Sequence, residues 1–169
     1  VIIMAGMGAL LNVNFLHQKS RDMRSIMDNL SFVMEDMSRS IRTGYNYYCI
    51  IGIIPIGVPN PLAQSCANGG GGISFKSVTA TSTSQWVYYI GTYNGTPGIF
   101  RSVDGGVSFI QLTPDEVVIT SGSFSVSGAE KGGPQQPFVT IKLVGKITFK
   151  GVETPFSLQT SVSQRALDI

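Results

Sequence analysis

Few side chains in this chain are of a type that does covalent chemistry, and their spacing separates them. There is one histidine, His17. Cys49 is the nucleophile it could serve as base, since a thiol needs a base within hydrogen-bond reach. His17 lies on an N-terminal helical segment, and the 27 residues from there to Gly44 span about 40 Å as helix. Glu35 and Asp36 are adjacent carboxylates, but neighbours on a helix point about 100° apart. They read as solvated or interface charges. Asp104, Asp115 and Glu116 sit near turns and offer oxygens, yet calcium needs several converging ligands and no such spacing is present. Turn formation is the expected job of Asp104. Gly69-Gly70-Gly71-Gly72 lacks the following Gly-Lys-Ser/Thr of a phosphate-binding loop. Asn94-Gly95-Thr96 fits a glycosylation sequon, and Asn-Gly is also a hairpin turn signal. Trp86, Tyr88 and Tyr89 read as cross-strand packing rather than a ligand platform. The sequence thus predicts no enzyme, no catalytic residue, no metal and no cofactor.

Composition narrows the class further. The chain has 169 residues, enough for one domain with a core. Charged residues are 13% and net charge is +2, too little to argue for nucleic acid. Between Thr43 and Phe100 the one charged residue is Lys76. Low charge with many Ser, Thr and Gly suits an exported β-rich protein. In that setting the even pair Cys49 and Cys66 predicts a disulfide closing the loop between them. Two buried free thiols are the alternative.

The element that must position all of this is the first stretch, residues 1–44. Residues 1–18 carry no Asp, Glu, Lys or Arg. From Lys19 on, Met23, Ile26, Met27, Leu30, Val33, Met34, Met37 and Ile41 recur at steps of three and four, an amphipathic helical stripe. Arg24–Asp28 and Glu35–Arg39 are i,i+4 pairs. Arg39 and Arg42 suit a helix C-terminus, and Gly44 suits a left-handed C′ position. One helix of 44 residues would be roughly 65 Å long. The run from Val1 to Leu11 is apolar or small, shorter than the ~20 residues that cross a bilayer. Because the chain opens on Val, it reads as a fragment or processed product whose apolar run began further upstream. Ala5, Gly6, Gly8 and Ala9 form a small-residue cluster that lets helix backbones approach closely.

Past Gly44 the period changes from 3.6 to 2. Strands are expected over residues 45–54, 73–78, 85–92, 99–103, 107–112, 117–120, 124–126, 139–149 and 155–162. Residues 52–72 are expected as a loop, stiffened by Pro55, Pro59 and Pro61 and loosened by the four glycines. In 139–149 and 155–162 apolar and polar residues alternate, giving one dry face and one wet face. The helical stripe is the only helical cover for the dry face. The resulting expectation is an α+β fold, one long N-terminal helix packed on a head of five to seven antiparallel strands. Residues 1–44 would form a stalk helix, with 1–18 projecting and 19–44 packed on the head, and residues 45–169 a β-rich head.

That arrangement resembles the type IV pilin and type II secretion pseudopilin family. The stretch NLSFVMEDMSRSIRTG, residues 29–44, is similar to the end of the stalk helix in minor pilins and pseudopilins. The closing FSLQTSVSQRALD, residues 156–168, is similar to the last strand of such heads. The family's cleavage motif, a Gly before Phe followed by an apolar stretch with a Glu, is not in this chain. The resemblance implies a structural filament subunit, held in the inner membrane before assembly and then displayed in the periplasm or outside the cell. It implies other pilin or pseudopilin subunits as partners, in a homo- or hetero-filament, and no nucleic acid. Ala5, Gly6, Gly8, Ala9, Leu10, Leu11, Phe15 and Leu16 would form the filament and membrane interface. The alternative is a membrane-anchored surface protein whose β head binds a ligand or matrix through the uncharged face of residues 45–100.

Overall fold

The computed structural model describes residues 2–52, 62–77 and 85–165; within the helix it describes side chains at His17 and from Ser20 onward. The chain opens with helix α1 (Ile2–Arg42). Among the described residues nine strands follow: β1 (Gly44–Ile50), β2 (Cys66–Gly70), β3 (Gly72–Ser77), β4 (Gln85–Tyr93), β5 (Thr96–Ser102), β6 (Ile110–Gln111), β7 (Val117–Ser127), β8 (Phe138–Phe149) and β9 (Val152–Ser163). They form two antiparallel sheets. Sheet A has the order β1-β3-β4-β5-β6, and sheet B the order β2-β7-β8-β9.

This corrects the expected fold class. The α+β reading, a long helix on one antiparallel sheet, does not hold. Of the residues described with their side chains, 55% lie in strands and 18% in helix, and the strands divide between two sheets. The physical reason is area. One helical stripe about 10 Å wide cannot cover nine strands spaced about 4.8 Å apart. Sheet therefore covers sheet where β4 and β5 face β7, and the helix closes the remaining side. Ile26, Leu30, Val33, Met34, Met37 and Ile41 are buried in the same core as Phe75 and Tyr88 of sheet A and Leu143 of sheet B. Met23 and Met27 pack at its margin. Each fully buried aliphatic side chain contributes roughly 2 kcal/mol by leaving water.

Several boundaries also move. Residues 66–70, expected inside a loop, are strand β2. The glycine run is the corner where the chain leaves sheet B at Gly70 and enters sheet A at Gly72, and Gly71 C=O accepts from Ile90 N–H at 2.8 Å. A side chain at Gly70 would collide with the Ile50 carbonyl oxygen and with Cys49 Sγ. Residues 117–126 are one strand with an irregularity between Ile119 and Ser121 rather than two strands. The strand expected at 107–112 shrinks to Ile110–Gln111, because Asp104 organises residues 104–108 into a turn. Gly44 is not a left-handed C′ residue. It begins β1, and a Cβ there would run into the Phe75 ring. Pro55, Pro59 and Pro61 lie outside the described residues.

Two hairpins show why local sequence fixes register. Asn94 and Gly95 take φ of 49° and 83°, and Lys150 and Gly151 take 48° and 76°. Positive φ at both central residues is the two-residue turn that matches strand twist. The first joins Tyr93 to Thr96 and the second joins Phe149 to Val152.

Candidate functional site

The C-terminal half of α1 and its seams with the two sheets concentrate the polar groups that the core does not explain. The helix end is held from both sheets. The buried Tyr47 hydroxyl of β1 lies 2.6 Å from the carbonyl oxygens of both Ile41 and Gly44. Burial pushes its pKa well above the usual tyrosine value. Just beyond β9, Arg165 N–H donates to Arg42 C=O at 2.9 Å. These groups take up carbonyls that a helix C-terminus leaves without partners.

Further up the helix, the adjacent carboxylates part company. Glu35 pairs with Arg39 at 3.1 Å on the solvated side. Asp36 turns toward sheet A, where its carboxylate accepts from Arg101 of β5 at 3.3 Å. The Arg101 guanidinium lies 5.7 Å from the Trp86 ring centroid, within cation–π range. Tyr88 is buried in the same place, its pKa raised chiefly by loss of water, with Ser40, Asp36 and Arg101 around it. The helix thus meets sheet A through a polar seam, while Met34 packs toward Leu158 and Thr160 of β9 along a groove on the other flank. Phe32, 71% exposed, stands beside a groove of about 470 Å³ shared with Asp36, Arg101 and Pro114.

The expected aromatic cluster divides across sheet A. Trp86 and Tyr88 face the helix, their rings 6.3 and 5.9 Å from Phe75. Tyr89 faces the other way, 6.4 Å from Phe100, and Tyr93 continues that outer cluster to Phe109 at 5.0 Å.

Cys49 and Cys66 form a disulfide. It joins β1 of sheet A to β2 of sheet B, so it ties the sheets together rather than merely closing a loop. Beside it, Glu130 accepts from both the backbone N–H and the hydroxyl of Ser65, at 2.8 and 2.6 Å, which holds its pKa below the usual range. That clamp shapes a cleft of about 680 Å³ between Tyr45, Lys76, Gln164 and the loop 128–137. Asp104 accepts from Ser102 and Ser108 hydroxyls and from the N–H groups of Val107 and Ser108, and these bonds hold its carboxyl below the usual carboxylate range. Its oxygens are thereby occupied by the turn.

His17 is exposed on α1, and Cys49 is committed to its disulfide. Among the described residues no group of three His, Cys, Asp or Glu side chains is placed to hold a metal. The side chains of Ala5, Gly6, Gly8, Ala9, Leu10, Leu11, Phe15 and Leu16 lie outside those described. Among the described residues no helix is long and apolar enough to cross a membrane. The described surfaces carry hydrogen-bond donors, rings and grooves.

Arg101 and Glu130 were not singled out by spacing. Arg101 had a readable signal, a lone charge that alternation with Ile99 places on the apolar face of its strand. Phe32 had one too, an aromatic off the buried stripe. Glu130 had none, because its partner Ser65 is distant in sequence.

No protein family, curated protein or solved structure matches this chain.

Proposed function

We propose that this chain is a non-catalytic structural subunit of a filament of the type IV pilus or type II secretion pseudopilus kind, assembled through the N-terminal part of α1. The observation that carries the reading is continuity. Helix α1 runs unbroken from Ile2 to Arg42, while its described buried side chains begin at Ile26. A helix of 41 residues is about 60 Å long, and its upstream stretch, residues 1–18, carries no Asp, Glu, Lys or Arg. An apolar stretch of this size drives association or membrane insertion. The head grips the helix through the core stripe, the Asp36–Arg101 pair and the Tyr47 hydroxyl, so a load on the helix passes into both sheets.

The test is to replace residues 1–18 with an unrelated membrane helix and look for the subunit in sheared surface fractions. The filament reading expects the head to fold and the filaments to vanish. Filaments carrying the swapped subunit at normal levels overturn it. The cleft beside Tyr45 and loop 128–137 favours a second reading, an anchored surface protein whose head binds a ligand. Under that reading the swapped protein keeps its function, and substitutions lining the cleft, such as Lys76→Ala, abolish it.

A further inference from the structure

Strand β9 is the edge of sheet B: β8 pairs with it on one side, and no described strand lies on the other. Its two halves differ in how they are guarded. Residues 152–155 hold Pro155 and Glu153, the latter in an ion pair with Lys146 at 2.6 Å. Proline and charge are what natural sheets use to blunt an edge. Residues 156–163, Phe-Ser-Leu-Gln-Thr-Ser-Val-Ser, hold no charge, no proline and no glycine. Ser157, Gln159, Ser161 and Ser163 are exposed, and Phe156, Leu158 and Thr160 are half-buried. Between this edge and α1 runs a groove of about 320 Å³, lined by Ser31, Met34, Ser38, Leu158 and Thr160 among others. A strand laid along β9 would bond to its outward backbone groups and send alternate side chains into that groove.

We propose that residues 156–163 are a self-pairing edge, on which β9 of a second copy adds antiparallel about a two-fold axis, making sheet B continuous across two molecules. Self-complementarity selects a second copy over another strand. When this segment is paired antiparallel with itself about Gln159 or Thr160, polar residues oppose polar ones on the outer face. The inner positions oppose one another likewise, and no charge meets its own copy. Directly opposed hydroxyls are already tolerated here, since Thr140 and Ser161 are hydrogen-bonded at 3.1 Å between β8 and β9. Glu153 and Pro155 then mark where the pairing stops. A two-fold contact is closed and does not propagate, so it is independent of assembly through α1 and does not rest on the filament reading.

The test uses the full chain in detergent micelles. Gln159→Cys, alone or mixed with Ser161→Cys, is exposed to a mild oxidant, and Lys142→Cys is the control. Lys142 is exposed on the same face of β8, and in the pair its two copies stand three strand spacings apart, roughly 15 Å. Cross-linked dimer is expected at least tenfold faster for Gln159→Cys than for Lys142→Cys. Gln159→Lys sets two lysines near the axis and is expected to weaken dimerisation at least tenfold by sedimentation, with its melting temperature kept. Equal cross-linking rates at the two positions, or unchanged dimerisation in a folded Gln159→Lys protein, overturn the proposal. Repeating the cross-linking with residues 1–18 replaced separates this contact from association through α1, because the Gln159→Cys rate advantage is expected to persist.

Discussion

Cys49 and Cys66 stand with their Cα atoms 5.9 Å apart across the junction of two sheets. β1 pairs within sheet A and β2 within sheet B. The bond therefore adds a covalent cross-link between the layers to the chain's own passage through Gly71 and the backbone bonds of β1 with Gln64. Gly70 lets it sit there, because a methyl group at that position would press on Cys49 Sγ.

Reduction is therefore expected to loosen both layers at their shared corner. For a loop of this length the chain-entropy account gives a loss of about 3 kcal/mol. Denaturant titration with and without reductant measures it. Hydrogen exchange should quicken in β1 and β2 together; quickening confined to the segment between the cysteines would show that the bond closes a loop and nothing more.

Gly122 of β7 lies under Ile90 of β4, and a Cβ there would run into the Ile90 Cγ2 methyl. This is the closest described approach of the two sheets to a glycine. Gly122→Ala is expected to cost about 1–3 kcal/mol through overpacking, read as a lower melting temperature. In a double-mutant cycle Ile90→Ala, which removes that Cγ2 methyl, should make Gly122→Ala cost less than it does in the parent protein.

The Asp36–Arg101 pair is partly exposed, with side chains 38% and 29% accessible. Asp36→Asn should cost no more than about 1 kcal/mol, and less at high salt. Arg101→Ala should cost more, because it also strips the cation from the Trp86 ring. Trp86 is the chain's only tryptophan, so its fluorescence reports the seam directly. Arg101→Ala should shift the emission while Asp36→Asn leaves it nearly unchanged.

Stability should fall at both extremes of pH. Asp104 and Glu130 have folded pKa values below the ordinary range because the folded state donates hydrogen bonds to their carboxylates. That stabilisation is present above the unfolded values near ~4 and is lost as pH falls through the folded ones. Tyr47 and Tyr88 are raised by burial. They favour the fold below an unfolded value of about 10, and that contribution is lost as pH rises beyond it. Melting temperatures from pH 2 to 11 should form a plateau with two shoulders. Asp104→Asn should flatten the acid shoulder, and Tyr47→Phe the alkaline one.

Much of this was readable in the residues themselves. The Asn94-Gly95 turn, the alternation along 139–149 and the stripe from Ile26 to Ile41 each state a local rule that the structure obeys. What was not readable is how layers divide. Alternation says that a strand has a dry face, but not whether a helix or another sheet will cover it, so one sheet was expected where there are two. The glycine run misled for a related reason. Without side chains it shows no period, yet it is where the chain needs to pass between layers. Arg101 escaped, and the seam as a unit with it, because Asp36, Tyr88 and Arg101 come from separate segments and meet only after the sheets close on the helix.

The order of the strands also sets an order of events. Strands β3, β4 and β5 pair with their sequence neighbours, and β8 and β9 are joined by a two-residue turn. Such contacts close small loops and form quickly. Joining β2 to β7 brings Cys66 opposite Val126 and must await the segments between them. The cysteines, by contrast, are near neighbours in sequence and can meet before that closure. Oxidation at that stage would hold β2 beside the sheet A meander while sheet B is still searching for its fourth strand. The same bond that holds the finished corner would then speed its making, and a reduced chain would refold more slowly even where it ends in the same place.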